Sequence, residues 1–241
     1  RAALAPHLDE SALNRLSFVR LDLNSDEGWV EAMEGASALM HTASPFPIAN
    51  PKDENDLIRP AVDGTLRAMA AARAAGVMRV ILTSSVVAII DTFKRGMQDE
   101  TDWCNLDAPE TTAYGKSKTM AERAAWEFAL SQGMALTTIN PGLVLGPPLD
   151  GEYGSSISVV QRLLRGRDPM LPQISFTCVD VRDVAEAHLR ALERPESAGR
   201  RIPCTAGLMS MPDMARVLKA AYPTRKIPTR IAPRFVLRLL A

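Results

Sequence analysis

Val80-Ile81-Leu82-Thr83-Ser84-Ser85-Val86-Val87-Ala88-Ile89-Ile90 carries no charged residue along its length. An apolar run without polar alternation suits a central strand buried on both faces, the setting of a parallel sheet. The segments around it repeat one theme. Asp56 to Ala75 reads as a long Ala-rich helix stopped by Gly76, with Pro60 in its first turns, where a missing donor is tolerated. Ala113 to Gln132 reads as a second long helix, ended by Gly133. Ala38-Leu39-Met40 is a brief buried strand, and Ala135 to Asn140 is another, stopped by Pro141-Gly142. Phe176 to Val181 and Asp183 to Leu192 add one more strand and helix. Nearer the start, Ser17 to Leu23 alternates apolar and polar residues in the manner of a strand. Asn24-Ser25-Asp26 then offers caps for a short helix through Trp29 and Met33, stopped near Gly35. Pro45, Pro47 and Pro51 make Pro45 to Asp53 a loop. Strands alternating with helices predict an α/β protein with a doubly wound parallel sheet.

Composition removes several classes of function. The chain has 241 residues, 28 basic and 28 acidic side chains, and 46% hydrophobic residues, enough to bury a sizeable core. Zero formal charge lacks the cationic surplus of a nucleic-acid binder. No apolar run reaches the ~18 residues of a membrane helix, and no signal peptide is evident. Cys104, Cys178 and Cys204 are odd in number and lack C-x-x-C spacing, which argues against a disulfide framework or a zinc site and for a cytoplasmic location. The stretch from Met214 to Ala241 has seven basic residues and no acidic one, and reads as a solvated face of terminal helices.

Chemistry concentrates at two places. Tyr114-Gly115-Lys116-Ser117-Lys118 opens a predicted helix, so Tyr114 and Lys118, four apart, share a face. A free phenol with pKa ~10 is a poor acid–base at neutral pH. A nearby ammonium stabilises phenolate and lowers that value, which fits Tyr114 for general acid–base work. Ser84-Ser85 closes the apolar run at a strand end, where α/β sheets bind ligands. A hydroxyl there either caps the backbone or stabilises charge developing on a carbonyl oxygen. These groups make a proton-transfer site without a metal or a covalent nucleophile, a combination that suits hydride chemistry on a bound nicotinamide. His41 reads as a backbone-contact residue; His7 and His188 read as surface or satisfied side chains.

The chain resembles the extended short-chain dehydrogenase/reductases, in the branch of dihydroflavonol, cinnamoyl-CoA and microbial carbonyl reductases. The matching blocks follow one another in family order. They run from Val19-Arg20-Leu21-Asp22-Leu23 through His41-Thr42-Ala43-Ser44-Pro45, Pro60 to Thr65, Leu82 to Ser85 and Asp99 to Trp103. Tyr114 to Glu122, Ala124 to Trp126, Asn140 to Pro147 and Val179 to Ala185 complete the set. The resemblance implies a Rossmann-like fold binding NADPH rather than NADH, with Ser85, Tyr114 and Lys118 catalytic. Tyr114 would protonate the substrate oxygen, while Lys118 would lower the phenol's pKa and hold the nicotinamide ribose. Ser84 would lie against the cofactor. The pair Asp22-Leu23 would meet the adenine, and Thr42-Ala43-Ser44 the ribose and pyrophosphate. Pro141, Gly142, Leu143 and Val144 would form the turn beside the nicotinamide. Ser156 would add a later contact, and Arg1 would favour a 2′-phosphate.

Departures from the family pattern are informative too. No G-x-x-G-x-x-G or G-x-G-x-x-G turn occurs, and Gly28 is the first glycine. The first βαβ unit is therefore expected to be missing, and the C-terminal end to stop early. The expected division is a dinucleotide-binding core over 1–146 with 174–194 returning to it, and a smaller substrate lobe over 147–173 and 195–241. Ile90 falls where plant flavonoid reductases place an Asn, which points to a more apolar carbonyl substrate. Val86 to Ile90 lacks the Val-Tyr-Gly turn of sugar-nucleotide epimerases. The resemblance thus implies reduction of an aldehyde or ketone to an alcohol, by a monomer or homodimer. A sugar-nucleotide epimerase, a hydroxysteroid-type dehydrogenase and a non-catalytic dinucleotide sensor are the alternatives.

Overall fold

The computed structural model describes residues 2–45, 51–151 and 153–233. Arg1, residues 46–50 of the expected loop and the last eight residues of the basic stretch lie outside them. In chain order the elements are α1 (Glu10–Asn14), α2 (Trp29–Met33), β1 (Ala38–His41), α3 (Asn55–Ala74) and β2 (Arg79–Thr83). A 3-10 turn at Val86–Ala88 leads to α4 (Ala113–Gln132), β3 (Ala135–Pro141), β4 (Leu143–Leu145) and α5 (Ser155–Arg165). Next come β5 (Ser175–Asp180), α6 (Val181–Glu193), a 3-10 turn at Pro195–Ser197, β6 (Arg201–Cys204), β7 (Gly207–Ser210) and α7 (Met211–Ala221).

They form two compact units, Arg1–Pro141 with Arg182–Cys204, and Gly142–Val181 with Thr205–Ala241. The first holds a four-stranded sheet, order β1-β2-β3-β6, parallel throughout. Alternation along β2 and β3 distributes their side chains to two helical layers. Val80, Leu82 and Leu136 pack with Ala68, Met69 and Ala72 of α3 and Ala125 and Ala129 of α4. Ile81 and Ile139 point the other way, to Ala187, Ala191 and Leu192 of α6. Both faces are covered, which is why these strands read as continuous apolar text.

That reading overran at Thr83. The Ser84 amide still reaches Ile139 O at 2.8 Å, but Ser85 then accepts the Val87 N–H on its hydroxyl (3.4 Å) and starts the 3-10 turn. Val86, Ala88 and Ile89 are buried without being strand. Apolar composition reports burial here, and burial does not discriminate turn from strand.

Ser17 to Leu23 is likewise not a strand. Among the described residues no strand pairs with it, and side chains take its carbonyls instead. Trp29 Nε1 donates to Asp22 O (3.1 Å) and Ser25 O (2.9 Å), and Arg67 bonds both Leu23 O and Asp26. Only Leu21 and Leu23 pack on the core, while Phe18 and Val19 are exposed. The expected Asn24-Ser25-Asp26 cap is also absent. Gly28 takes the N-cap position of α2, with φ +77° and no side-chain cap bond. The long helices follow their signals: Thr112 caps α4 through the Gly115 N–H (3.1 Å), and Gly133 ends it at φ +65°.

The second unit contains a three-stranded sheet, order β4-β5-β7, over a core of Leu163, Leu171, Met211, Met214, Ala215 and Ile227. Ser210 and Asp213 form a capping box at the start of α7. Residues 222–233 of the expected terminal helices contain no helix. The division between units therefore differs from the expected one at every boundary. Strand β5 pairs with β4, because Phe176 and Cys178 pack on the Leu163–Met211 cluster. Strand β6 joins the main sheet beside β3, because Ile202 and Cys204 pack with Ile81 and Ile139. No helix among the described residues is long and apolar enough to cross a membrane, and none of their His, Cys, Asp and Glu side chains group as a metal site.

Candidate active site

Three elements of the first unit meet at the carboxyl end of β2. Ser84 and Ser85 directly follow that strand, Tyr114 and Lys118 lie on the first turns of α4, and His41 ends β1. The Ser85 side chain hydrogen-bonds Tyr114. The Lys118 ammonium lies 5.7 Å from the Tyr114 ring centroid. Ala43, Ser44, Ser84 and Lys118 line one narrow cleft with Thr65 and Glu122. Thr42 is exposed just before that cleft.

The electrostatics depart from expectation at the phenol. Burial pushes Tyr114 above its ordinary value, and the Ser85 hydrogen bond pulls it part of the way back. Burial of the ring is the larger influence, and it sets the direction of the shift. Tyr114 therefore keeps its proton at neutral pH. Lys118 is 9% exposed, has no carboxylate partner among the described residues, and is lowered by burial from 10.5 to about 8. His41, also buried, is lowered from 6.5 to about 4, first by burial and then by the charge of Lys118. Its Nε2 is buried without a hydrogen-bond partner.

Behind Ser84 the polar groups are fully engaged. Glu122, 1% exposed, accepts from Ser84 Oγ (2.5 Å), Asn140 Nδ2 (2.8 Å), Thr138 Oγ1 (3.0 Å) and Trp126 Nε1 (3.3 Å). Arg201 Nε completes the set at 2.6 Å. The Arg201 guanidinium stacks 3.7 Å from the Trp103 ring and donates to Glu100 O, Asp102 O and Ala88 O. Sequence reasoning missed Glu122, Arg201 and Trp103 as site residues. One signal was available: Tyr114, Lys118 and Glu122 fall at successive spacings of four, on one helix face.

The other expected residues are divided between the two units. Asp22 accepts the Asn24 N–H (2.8 Å) in a local turn, and Leu23 lies against Gly64, where an added Cβ would meet it at 3.0 Å. Pro141 is buried at the end of β3 in the first unit. Gly142, Leu143, Val144 and Ser156 belong to the second unit. A side chain at Gly142 would run into the Thr177 carbonyl oxygen, so strand packing already accounts for that glycine. His188 is satisfied, with Nε2 on Thr83 Oγ1 (2.6 Å) and Nδ1 on Val184 O (2.7 Å).

Residues 3–203 match the model of the NAD dependent epimerase/dehydratase family. The chain belongs to that family. It is 34% identical over 239 residues to an anthocyanidin reductase of Vitis vinifera, covering 92% of this chain and 70% of the relative. Cinnamoyl-CoA reductase 1 of Petunia hybrida is 35% identical over 226 residues, covering 92% and 66%. Among solved structures, the yeast methylglyoxal/isovaleraldehyde reductase Gre2 complexed with NADPH superposes with a TM-score of 0.80 at 29% identity, covering 91% of this chain and 73% of that one.

A family dinucleotide makes demands that the cleft can be tested against. Its nicotinamide ribose needs hydrogen-bonding groups and tolerates a buried cation. Lys118 without a carboxylate, the hydroxyls of Ser44 and Ser84, and the unpartnered His41 Nε2 fit that end of the molecule. The pyrophosphate end finds no glycine-rich turn in this sequence.

Proposed function

We propose that this chain carries the proton-transfer centre of an NADPH-dependent reductase acting on an aldehyde or ketone. The observation that carries the reading is the Ser85–Tyr114 hydrogen bond with the Lys118 ammonium buried against the same ring. Lys118, Ser44 and Ser84 would hold the ribose, and bound NADPH would be the source of hydride. Tyr114 gives its proton to the carbonyl oxygen, and the Ser85 hydroxyl donates to that oxygen as charge develops on it. A phenol pushed up by burial stays protonated, as reduction requires, and the Lys118 cation stabilises the phenolate left behind. Ile90, which stands where plant flavonoid reductases place an Asn, supports an apolar carbonyl compound over a polyhydroxylated one.

The test uses the whole chain with NADPH and isovaleraldehyde, a compound in the name of the yeast relative. Tyr114→Phe abolishes NADPH oxidation yet leaves NADPH binding, followed by its fluorescence, within about twofold. A variant retaining more than a few per cent of the rate overturns the assignment.

A further inference from the structure

The carboxylate of Glu122 is the most enclosed charge among the described residues of the first unit, and it bonds Ser84, the neighbour of Ser85. Withdrawing a carboxylate from water is costly, and an apolar side chain of similar volume would often serve stability as well. What an apolar side chain could not do is hold two directions at once. Glu122 Oε2 takes the Ser84 hydroxyl and one Asn140 amide proton, and the second Asn140 proton reaches the Ser85 carbonyl at 3.2 Å. On the other side, Arg201 donates its Nε–H to Oε1, while its terminal nitrogens bond three backbone carbonyls and its guanidinium stacks on Trp103. Glu122 also sits one turn beyond Lys118 and two beyond Tyr114 on α4. One side chain thereby ties the helix that carries the acid to the strand end that carries its hydrogen-bond partner.

We infer that Glu122, braced by Arg201 and relayed through Asn140, is a positioning residue that sets the Ser85 hydroxyl against Tyr114. The inference rests on the reading of Ser85 and Tyr114 given above. It predicts that the pair loses its alignment when Glu122 turns one oxygen into a donor. A Gln at 122 would aim an amide NH2 at Ser84, Asn140 or Arg201, each of which already donates.

A cofactor-free measurement reads this directly. The chain has three tyrosines, so subtracting the titration of Tyr114→Phe isolates the near-ultraviolet phenolate signal of Tyr114. The groups facing that phenol are Ser85 and Lys118, and Ser85 is the one that lowers it. Glu122→Gln therefore shifts the Tyr114 titration upward by as much as Ser85→Ala does, and adds no further shift to Ser85→Ala. In NADPH oxidation with isovaleraldehyde, Glu122→Gln lowers kcat about 10- to 100-fold with KM held within about twofold. In the Ser85→Ala background the same substitution lowers kcat by less than about twofold. Asn140→Ala, which cuts the relay and keeps the ion pair, repeats both cycles should Glu122→Gln fail to fold.

Independent, multiplicative losses in the double variant, or an unmoved Tyr114 titration, overturn the positioning role while leaving the site intact. If Ser85→Ala alone changes neither titration nor kcat, the reading of the site falls and the inference falls with it.

Discussion

Two sides of the same strand end treat buried polarity in opposite ways. Behind Ser84, the Glu122 carboxylate, Thr138, Asn140 and Arg201 are all partnered. A few residues away, Lys118 has no carboxylate and His41 Nε2 has no partner at all. A saturated network resists change, and at its edge only the Ser84 hydroxyl oxygen can still accept from a ligand. An unsaturated one carries a standing desolvation cost that a bound molecule can relieve. The first side is scaffold and the second is the place for ligand, although both look equally polar and equally buried.

The contrast breaks most visibly on removing a partner from the saturated side. Glu122→Ala leaves the Arg201 charge buried and unpaired, and urea unfolding should show a loss of about 3–5 kcal/mol. On the unsaturated side the sign reverses. Lys118→Met should stabilise the ligand-free protein by at most about 3 kcal/mol at neutral pH, while activity is lost. The folded pKa of about 8 lies below the ordinary 10.5, so the unfolded chain binds more protons between those values. The advantage of Lys118→Met is therefore full below pH 8 and gone by about pH 10.5. A denaturation series across that range checks it, and NADPH affinity of the parent protein should fall as pH rises through about 8.

His41 supplies a smaller, acid-side effect. Its folded value of about 4 lies below the ordinary 6.5, so stability is full above 6.5 and declines as pH falls toward 4. The decline between pH 6.5 and 5 should be about 2 kcal/mol, should vanish in His41→Leu, and should shrink in Lys118→Met, which removes the second cause. Arg190 and Glu186, an exposed pair four apart on α6, give the reference point. Arg190→Ala should change stability by less than about 0.5 kcal/mol, because solvent screens both charges. A loss of several kcal/mol there would mean that burial is not what separates these regions.

Legibility from sequence followed the range of the forces involved. Helix α4 was readable to the residue, since Gly133 and the start at Ala113 are local signals. The match of Tyr114 to Lys118 needed only helical spacing. Ser17 to Leu23 misled because alternation describes which side chains turn inward, and a strand also needs a neighbour to take its backbone bonds. Phe176 to Val181 was correctly read as a strand but given to the wrong sheet, since pairing partners are set by packing clusters that one segment cannot reveal.

The sequence alone determined the α/β alternation, the long helices with their glycine stops, and the spacing that aligns Tyr114, Lys118 and Glu122 on one face. These depend on residues within a few turns of one another. Tertiary structure decided that the Ser85 hydroxyl meets the phenol, that burial raises the phenol's pKa, and that Glu122 is anchored by Arg201, 79 positions away. Desolvation and long-range pairing exist only once distant segments exclude water together, so no local pattern could have announced them.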